Sequence, residues 1–323
     1  QVMPQLLEAF VFNIVVVILA WKNLGLYSYS WAIILGSIAG LGGYYLVSPW
    51  QPSWNFSKAR LWKLVSFGLQ FQGKNYLAVV KDQLLTLFLT RTVGFSGIGY
   101  WGFAQRWAYS PFRFIVDSVT KVSFPTYARL QHDSALLKAS LEKSLFIVSL
   151  TLFPMLVSVA FLGRWFVELI PRLNQYQPAL LSLYLLCFQA GISALSNILV
   201  NVLDANGRVK TTLGLMTMWI VLTWVLTVSL VGKIGFNGIA LAQLLVALTI
   251  FITIYFVNKI VRFSFVRPII KPLSAVILMI ALGSIFPGIL GVVSAIIMYC
   301  LVVGLIARKE LMANAKLLIT TYR

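Results

Sequence analysis

Long uncharged apolar runs are the feature that most constrains how this chain can fold. Residues 211–231, TTLGLMTMWIVLTWVLTVSLV, contain no charged side chain, and a helix needs about 20 such residues to cross a bilayer. Similar runs recur along the chain and are continuous, whereas the strands of a membrane barrel alternate apolar and polar residues. Charged residues make up only 11% of the sequence, against about 25% in soluble domains. The sequence therefore predicts an all-α, polytopic membrane protein.

The span length of about 20 residues, applied to the whole chain, predicts about ten transmembrane helices. The loops between them alternate between two sides, and most of the Lys and Arg residues outside the spans fall on one side. Because cytoplasmic loops carry the positive excess, we expect that side, with the C-terminus, to be cytoplasmic. The other side receives only Lys22, Arg91, Arg164, Arg172 and Lys233. The predicted spans are residues 5–21, 28–48, 67–90, 98–120, 145–163, 179–203, 211–231, 238–257, 272–289 and 290–307.

The formal charge of +18 fits this loop asymmetry better than nucleic-acid binding. The chain has no zinc-finger spacing, no RNA-binding signature and no basic tail. Its two cysteines, Cys187 and Cys300, lie far apart in apolar spans, and its single histidine, His132, lies in a polar segment. A metal site built from His and Cys is therefore not expected.

A charged stripe runs along the predicted span 98–120. Arg106, Ser110, Arg113 and Asp117 are spaced by four, three and four residues, which places them on one face of a helix. An Arg at the bilayer centre costs about 2.5–3.5 kcal/mol. We therefore expect this face to lie against protein or water rather than lipid.

Two other spans carry polar faces. If the three faces converge, they line a hydrophilic cavity with more cations than anions. Such a cavity suits an anionic cargo, because Arg binds phosphate oxygens bidentately and Lys supplies a point charge. The alternative is a set of buried ion pairs that hold helices together, such as Lys81 with Asp117 or Arg113 with Asp82, although such pairs add little net stability. The second face carries Lys74, Lys81 and Asp82, and the third carries Gln189, Ser193, Ser196, Asn197 and Asp204.

Two further segments have structural interpretations. Residues 49–66 contain an arc with Leu61, Trp62 and Val65, which predicts an interfacial helix that links two bundles on the cytoplasmic side. In GSIAG, Gly36 and Gly40 lie four residues apart, a spacing that allows close helix packing in membranes.

Several short motifs, taken in order, resemble those of the bacterial polysaccharide transporter family. That family contains the O-antigen and exopolysaccharide flippases of the multidrug/oligosaccharidyl-lipid/polysaccharide exporter superfamily. The resemblance covers roughly residues 60–260. Its motifs are Gly99-Tyr100, Ala104 with Arg106, Pro111, Phe124-Pro125, Asp133, Phe153-Pro154, and Ala205 with Gly207 and Arg208.

The resemblance implies a two-lobed, alternating-access transporter with six helices in each lobe. In that arrangement, residues 1–48 are the last two helices of the N-terminal lobe and residues 49–66 are the linker. Residues 67–257 form the C-terminal lobe, and residues 258–323 add two helices and a cytoplasmic tail. Since the chain begins at Gln1 directly ahead of an apolar run, we expect it to be a fragment whose first lobe is incomplete.

The resemblance also implies a function, the movement of an undecaprenyl-pyrophosphate-linked oligosaccharide across the bacterial inner membrane for O-antigen, capsule or exopolysaccharide synthesis. Membrane lipids surround the protein, and a polysaccharide polymerase or its assembly machinery is a candidate partner. No cofactor is expected, and a proton or sodium gradient is the candidate driving force. The expected substrate contacts are Lys74, Lys81, Arg106, Arg113, Gln189, Ser193 and Asn197, with Asp82 and Asp117 pairing with the cations or carrying a proton.

Two alternatives remain open at this point. One is another exporter of the same superfamily, for drugs or peptidoglycan precursors, although a pump for cationic drugs would need an acidic cavity. The other is a membrane enzyme that processes glycans, for which the short external loops offer only Glu168 as a candidate catalytic carboxylate.

Overall fold

The computed structural model describes residues 2–25, 27–47, 49, 57–286 and 288–306. Only the backbone is described for residues 2, 3, 58–60, 63, 64, 66–82, 305 and 306. The described part is helical and contains no strand, which confirms the predicted all-α class. The chain divides into two compact units, Gln1–Lys74 and Asn75–Arg323.

The described residues form ten α-helices and one 3₁₀ segment, Pro171–Ala179. Seven helical stretches are long and apolar enough to cross a membrane, and Gly288–Gly304 is a shorter apolar helix. The total of ten spans stays a prediction. The helices are α1 Val2–Trp21, α2 Tyr27–Val47, α3 Lys58–Leu130, α4 Ser134–Leu169, α5 Leu180–Ala205, α6 Val209–Ile234, α7 Asn237–Ala247, α8 Ile250–Asn258, α9 Val266–Ile285 and α10 Gly288–Ile306.

Close packing of α1 against α2 dominates the first unit. A Cβ atom on Gly36 would lie 3.2 Å from the Cβ of Phe12 and 3.3 Å from the carbonyl oxygen of Glu8. A Cβ on Gly40 would lie 3.0 Å from the Glu8 carboxylate. This arrangement confirms the predicted role of the two glycines, because a larger residue would force the helices apart.

Helix α3 contains two helical segments separated at Gly94, whose φ of 71° and ψ of 177° lie outside the helical region. Only glycine adopts such a conformation readily. A straight helix would place Leu85 and Tyr109 about 36 Å apart, yet both line one pocket. Within the second unit, the residues before Gly94 therefore fold back on those after it, in agreement with the separate spans predicted at 67–90 and 98–120.

Helix α3 also begins earlier than the predicted span, because the helix expected around Leu61 and Trp62 continues into that span without a break. Both of these side chains are exposed. Trp54, which also belongs to the predicted apolar arc, lies outside the described residues. The interfacial position of this segment and its role as a linker stay predictions.

Helix α4 extends beyond its predicted span at both ends. The carboxylate of Asp133 caps its start by accepting hydrogen bonds of 3.0 Å from the backbone N–H groups of Ala135 and Leu136. Such caps satisfy the donors that the first turn of a helix leaves free. His132 lies in the short turn before this cap, as its polar context suggested.

Helix α5 lies at the centre of the second unit and packs against α4, α6, α7 and α8. Its apolar face supplies fully buried residues such as Leu183, Ala190 and Ile198. Helices α9 and α10 pack on each other and on α4 around the buried residues Met279 and Ala295. The polar face of α5 lies on the side of α3, α6 and α7.

The predicted span 238–257 is interrupted between α7 and α8. The backbone N–H of Thr249 donates to the carbonyl of Val246, three residues earlier, and the Thr249 hydroxyl donates to the same carbonyl at 2.7 Å. The indole N–H of Trp219 on α6 donates to that hydroxyl at 3.0 Å. The predicted span is confirmed as one apolar stretch, Asn237–Asn258. It contains a local break, because Thr side chains compete with the backbone hydrogen bonds of a helix.

A polar pocket as the candidate functional site

The polar face of α5 lines a pocket of about 300 Å³ in the second unit. Three of the residues predicted to contact substrate, Gln189, Ser193 and Asn197, are among its lining residues. The structure therefore brings this group together in one pocket. The remaining lining residues are Leu85, Tyr109, Phe112, Ser196, Val200, Met216, Trp219, Thr223, Gln243, Val246 and Ala247.

Gln189 connects α3 to α5 at this pocket. Its Oε1 accepts a hydrogen bond of 2.9 Å from the Tyr109 hydroxyl, and its Nε2 donates to Ser193 Oγ at 2.8 Å. Gln189 is only 7% exposed, and a buried amide needs such partners because its desolvation is otherwise uncompensated. The amide of Gln189 is thus held in one orientation.

A second network joins the same two helices further along α5. Asn197 Oδ1 accepts from the Thr120 hydroxyl at 3.3 Å and from Asn201 Nδ2 at 3.2 Å. Asn201 Nδ2 also lies 3.1 Å from Thr120 Oγ1. These contacts engage the carbonyl side of the Asn197 amide and orient its N–H groups. Thr120 and Asn201 escaped the sequence-based prediction.

The charged stripe of α3 lies beside the pocket rather than in it. Arg106, Arg113 and Asp117 are exposed and are not among the lining residues. Among the described side chains, none of the three forms an ion pair. Tyr109 lies one helical turn from each Arg, so the two features are adjacent on the same helix.

The remaining predicted charges lie on α3, but the side chains of Lys74, Lys81 and Asp82 are outside the described residues. The proposed pairs of Lys81 with Asp117 and of Arg113 with Asp82 stay predictions for that reason. The contact of Lys74, Lys81, Arg106 and Arg113 with substrate also stays a prediction.

Asp204 has a structural role at the end of α5. Its Oδ1 accepts a hydrogen bond of 2.7 Å from the hydroxyl of Thr212, which is fully buried at the start of α6. Gly207, with a φ of 71°, completes the turn between the two helices.

Gln243 and Trp219 are pocket residues that the sequence analysis missed. Gln243 is the sole side-chain amide in the predicted span 238–257, and this isolation was an available signal. Trp219 sits in an uncharged run and carries no such signal. Its place in the pocket depends on the packing of α6 against α5 and α7.

A second, larger cavity of about 740 Å³ lies between α4, α5 and α9 and is lined mainly by apolar side chains. Arg164, near the end of α4, is among its lining residues. The Nε of Arg164 lies 2.8 Å from Glu168 Oε1, so its charge is paired.

The fold is similar to that of a solved membrane transporter. The lipid II flippase MurJ, in an inward closed conformation, aligns with a TM-score of 0.72 at 16% sequence identity. The alignment covers 95% of this chain and 68% of the MurJ chain. The similarity shows that the chain has a MurJ-like fold.

Curated relatives share sequence with part of this chain. The succinoglycan biosynthesis transport protein ExoT of Rhizobium meliloti is 27% identical over 143 residues, covering 44% of this chain and 29% of ExoT. The lipopolysaccharide biosynthesis protein WzxC of Escherichia coli is 28% identical over 171 residues, covering 52% of this chain and 34% of WzxC. The matched regions thus span about a third of each relative.

A family model also matches this chain. The model described as a polysaccharide biosynthesis protein matches residues 1–181, more than half of the chain. The apolar helices and these relatives together identify a multi-pass membrane protein. This chain therefore belongs to the polysaccharide biosynthesis protein family.

Proposed function

We propose that this protein is part of a flippase that moves a lipid-linked oligosaccharide across a bacterial inner membrane by alternating access. The family match supports this proposal, as do the similarities to ExoT, a succinoglycan biosynthesis transport protein, and to WzxC, a lipopolysaccharide biosynthesis protein. The MurJ-like fold supports a flippase rather than an enzyme. The cargo in this proposal is an undecaprenyl-pyrophosphate-linked oligosaccharide, and its transfer requires no covalent step.

One observation supports the proposal at named residues. Tyr109 and Phe112 on α3 line the neutral polar pocket, while Arg106 and Arg113 of the same helix are exposed beside it. A lipid-linked oligosaccharide has the same two chemistries, since its phosphates are anionic and its sugar hydroxyls are uncharged. Guanidinium groups bind phosphate bidentately, and amides and hydroxyls bind sugar hydroxyls.

The charged stripe has a further place in this mechanism. Exposed Arg side chains within an apolar span are costly against lipid, so they favour a water-filled or cargo-filled space. Asp117, on the same stripe, then balances the Arg charges or carries a proton. The proposal places the C-terminus in the cytoplasm and takes a proton or sodium gradient as the driving force.

Reconstitution of the full-length protein tests the proposal. Vesicles carry a fluorescent undecaprenyl-pyrophosphate oligosaccharide in one leaflet, and a membrane-impermeant lectin detects its arrival in the other. We expect translocation by the wild type and a large loss in Arg106→Ala and Arg113→Ala. Arg129→Ala is the matched control, because it removes an exposed Arg of α3 beyond the predicted span.

Two results would count against different parts of the proposal. A wild-type protein that folds and moves no lipid-linked oligosaccharide would refute the function. Normal translocation by both Arg variants would leave the function standing and remove the charged stripe from the cargo path.

A further inference from the structure

The pocket on α5 carries no formal charge of its own. None of its lining residues is Lys, Arg, Asp, Glu or His. Its polar groups are amides and hydroxyls, and they alternate with aromatic and aliphatic side chains. Small-molecule sites commonly combine an apolar lining with a few placed polar groups in this way.

Two oxygen atoms in this pocket lack hydrogen-bond partners within the described part of the chain. They are Gln243 Oε1 on α7 and Ser196 Oγ on α5, and both atoms are buried. Ser196 as a whole is only 9% exposed. Buried polar atoms in native proteins nearly always have a partner. These two atoms, on different helices and in one pocket, therefore need a partner from outside the described chain, which water or a bound molecule can supply.

The chemistry of the two oxygens narrows the class of that molecule. The Oε1 of Gln243 can only accept a hydrogen bond, so its partner must be an O–H or N–H donor. The Ser196 hydroxyl can donate and accept. The hydroxyls of a sugar meet both requirements. An acidic sugar keeps ring hydroxyls, but its carboxylate finds no cation in this lining, and burying an unpaired charge is costly.

The Asn197 amide adds a donor on the same face of α5. Its Oδ1 is engaged by Thr120 and Asn201, and among the described residues no acceptor is assigned to its Nδ2. Gln189 differs, because Tyr109 and Ser193 engage its two ends. The pocket therefore offers the acceptor of Gln243, the amide donor of Asn197 and the hydroxyl of Ser196, a mixture that suits a polyol.

Trp219 supplies an aromatic surface in a fixed position. Its indole N–H donates to Thr249 Oγ1 at 3.0 Å, in the break between α7 and α8, while the side chain lines the pocket. The hydrogen bond prevents the ring from turning freely. A pyranose ring has an apolar face of C–H groups that packs on such a surface, and a pocket of about 300 Å³ has room for a single sugar residue.

We infer that this pocket binds one uncharged glycosyl residue of the cargo and selects against an acidic one. Gln243 and Ser196 bind its hydroxyls, Asn197 donates to it, and Trp219 packs on its ring. The inference rests on the proposed function for its cargo, but it concerns sugar selectivity, which the charged stripe of α3 does not determine.

Saturation-transfer-difference NMR on the full-length protein in detergent tests the inference. The probes are methyl β-D-glucoside and methyl β-D-galactoside, each compared with its uronate, which has the same ring and an added carboxylate. We expect saturation of the ring protons in at least one neutral glycoside and at least about tenfold weaker binding of its uronate. Ser196→Ala and Gln243→Leu should each weaken neutral binding by about threefold or more.

Two further variants make the test specific. Ser284→Ala is the matched control, since it removes a hydroxyl from the other cavity and should leave binding unchanged. Gln243→Lys replaces the acceptor by a cation and should shift the preference toward the uronate. A gain of uronate binding cannot result from misfolding, so this variant protects the test against unstable proteins.

The outcomes separate this inference from the proposed function. Equal binding of glycosides and uronates, unchanged binding in Ser196→Ala and Gln243→Leu, or no binding of any neutral glycoside would overturn the inference. The last result is expected if the two oxygens hold only water or a cation. Translocation in vesicles is scored separately, so a flippase without sugar selectivity and a sugar-binding protein without flippase activity are distinguishable.

Discussion

The hydroxyl of Tyr299 on α10 donates a hydrogen bond of 2.6 Å to the carbonyl oxygen of Leu150 on α4. Leu150 lies four residues before Pro154, which has no N–H to donate to that carbonyl. In a membrane, no bulk water can replace the missing donor. Tyr299 therefore satisfies the group that the proline leaves open and joins α10 to α4.

The first prediction is that Tyr299→Phe destabilises the second unit. Hydrogen bonds between transmembrane helices contribute about 0.6 kcal/mol on average and up to about 1.7 kcal/mol, so we expect a loss of about 1 kcal/mol. An SDS unfolding titration of the purified protein measures it. In a Pro154→Ala background, the restored N–H should reduce the loss, and an equal loss in both backgrounds would contradict this explanation.

A second prediction concerns Gly238 at the start of α7. A Cβ there would lie 2.7 Å from the carbonyl carbon of Leu230 and 2.8 Å from the backbone nitrogen of Val231. Because both atoms belong to the backbone of α6, Gly238→Ala should cost about 1–3 kcal/mol through overpacking. The midpoint of thermal unfolding in detergent measures the change.

The control for this prediction is Gly214→Ala on α6. A Cβ at Gly214 would meet nothing within 4 Å, and Ala favours a helix over Gly by about 1 kcal/mol. This variant should keep or raise the unfolding midpoint. Equal destabilisation by the two substitutions would show that the close approach of Gly238 to α6 does not determine the stability.

The sequence correctly predicted those features that depend on the residue spacing within a single helix. Continuous apolar runs predicted the helices, and the spacing of Gln189, Ser193 and Asn197 predicted one polar face, which lines the pocket. The spacing of Gly36 and Gly40 likewise predicted a close contact. Each of these properties depends on helical periodicity, which can be counted in the sequence.

The features that were missed depend on contacts between residues distant in sequence. The break near Thr249 involves Trp219, 30 residues away, and the orientation of Gln189 involves Tyr109, 80 residues away. Apolar periodicity does not encode such pairs. Gln243 carried a signal as the sole side-chain amide of its predicted span, but its place in the pocket depends on the packing of α7 against α5.

A third prediction addresses the contact of α1 with α2. Gly36→Val adds atoms toward Phe12 and the Glu8 carbonyl, which a Cβ alone would approach to 3.2 and 3.3 Å. We expect α1 to separate from α2 and to exchange its amide hydrogens faster. Hydrogen–deuterium exchange with mass spectrometry measures this for peptides of residues 2–21.

Gly42→Val provides the comparison on the same helix. It carries the same change in helix propensity, but a Cβ at Gly42 would meet nothing within 4 Å. Its exchange should resemble that of the wild type. If both variants exchange equally fast, propensity rather than close packing explains the effect.

The last prediction connects the pocket to transport. Tyr109→Phe removes the donor to Gln189 Oε1, which lies 2.9 Å away, and leaves a buried acceptor with one partner fewer. A lost hydrogen bond of about 1 kcal/mol corresponds to about a fivefold slower step if Gln189 orients Ser193 toward the cargo. Translocation of a lipid-linked oligosaccharide in vesicles measures the rate, and Tyr255→Phe, which changes an exposed phenol on α8, is the control.

A double variant tests whether Tyr109 acts through Gln189. If it does, Tyr109→Phe should slow transport little further in a Gln189→Leu background. A full additional loss in that background would instead assign Tyr109 a separate contact with the cargo.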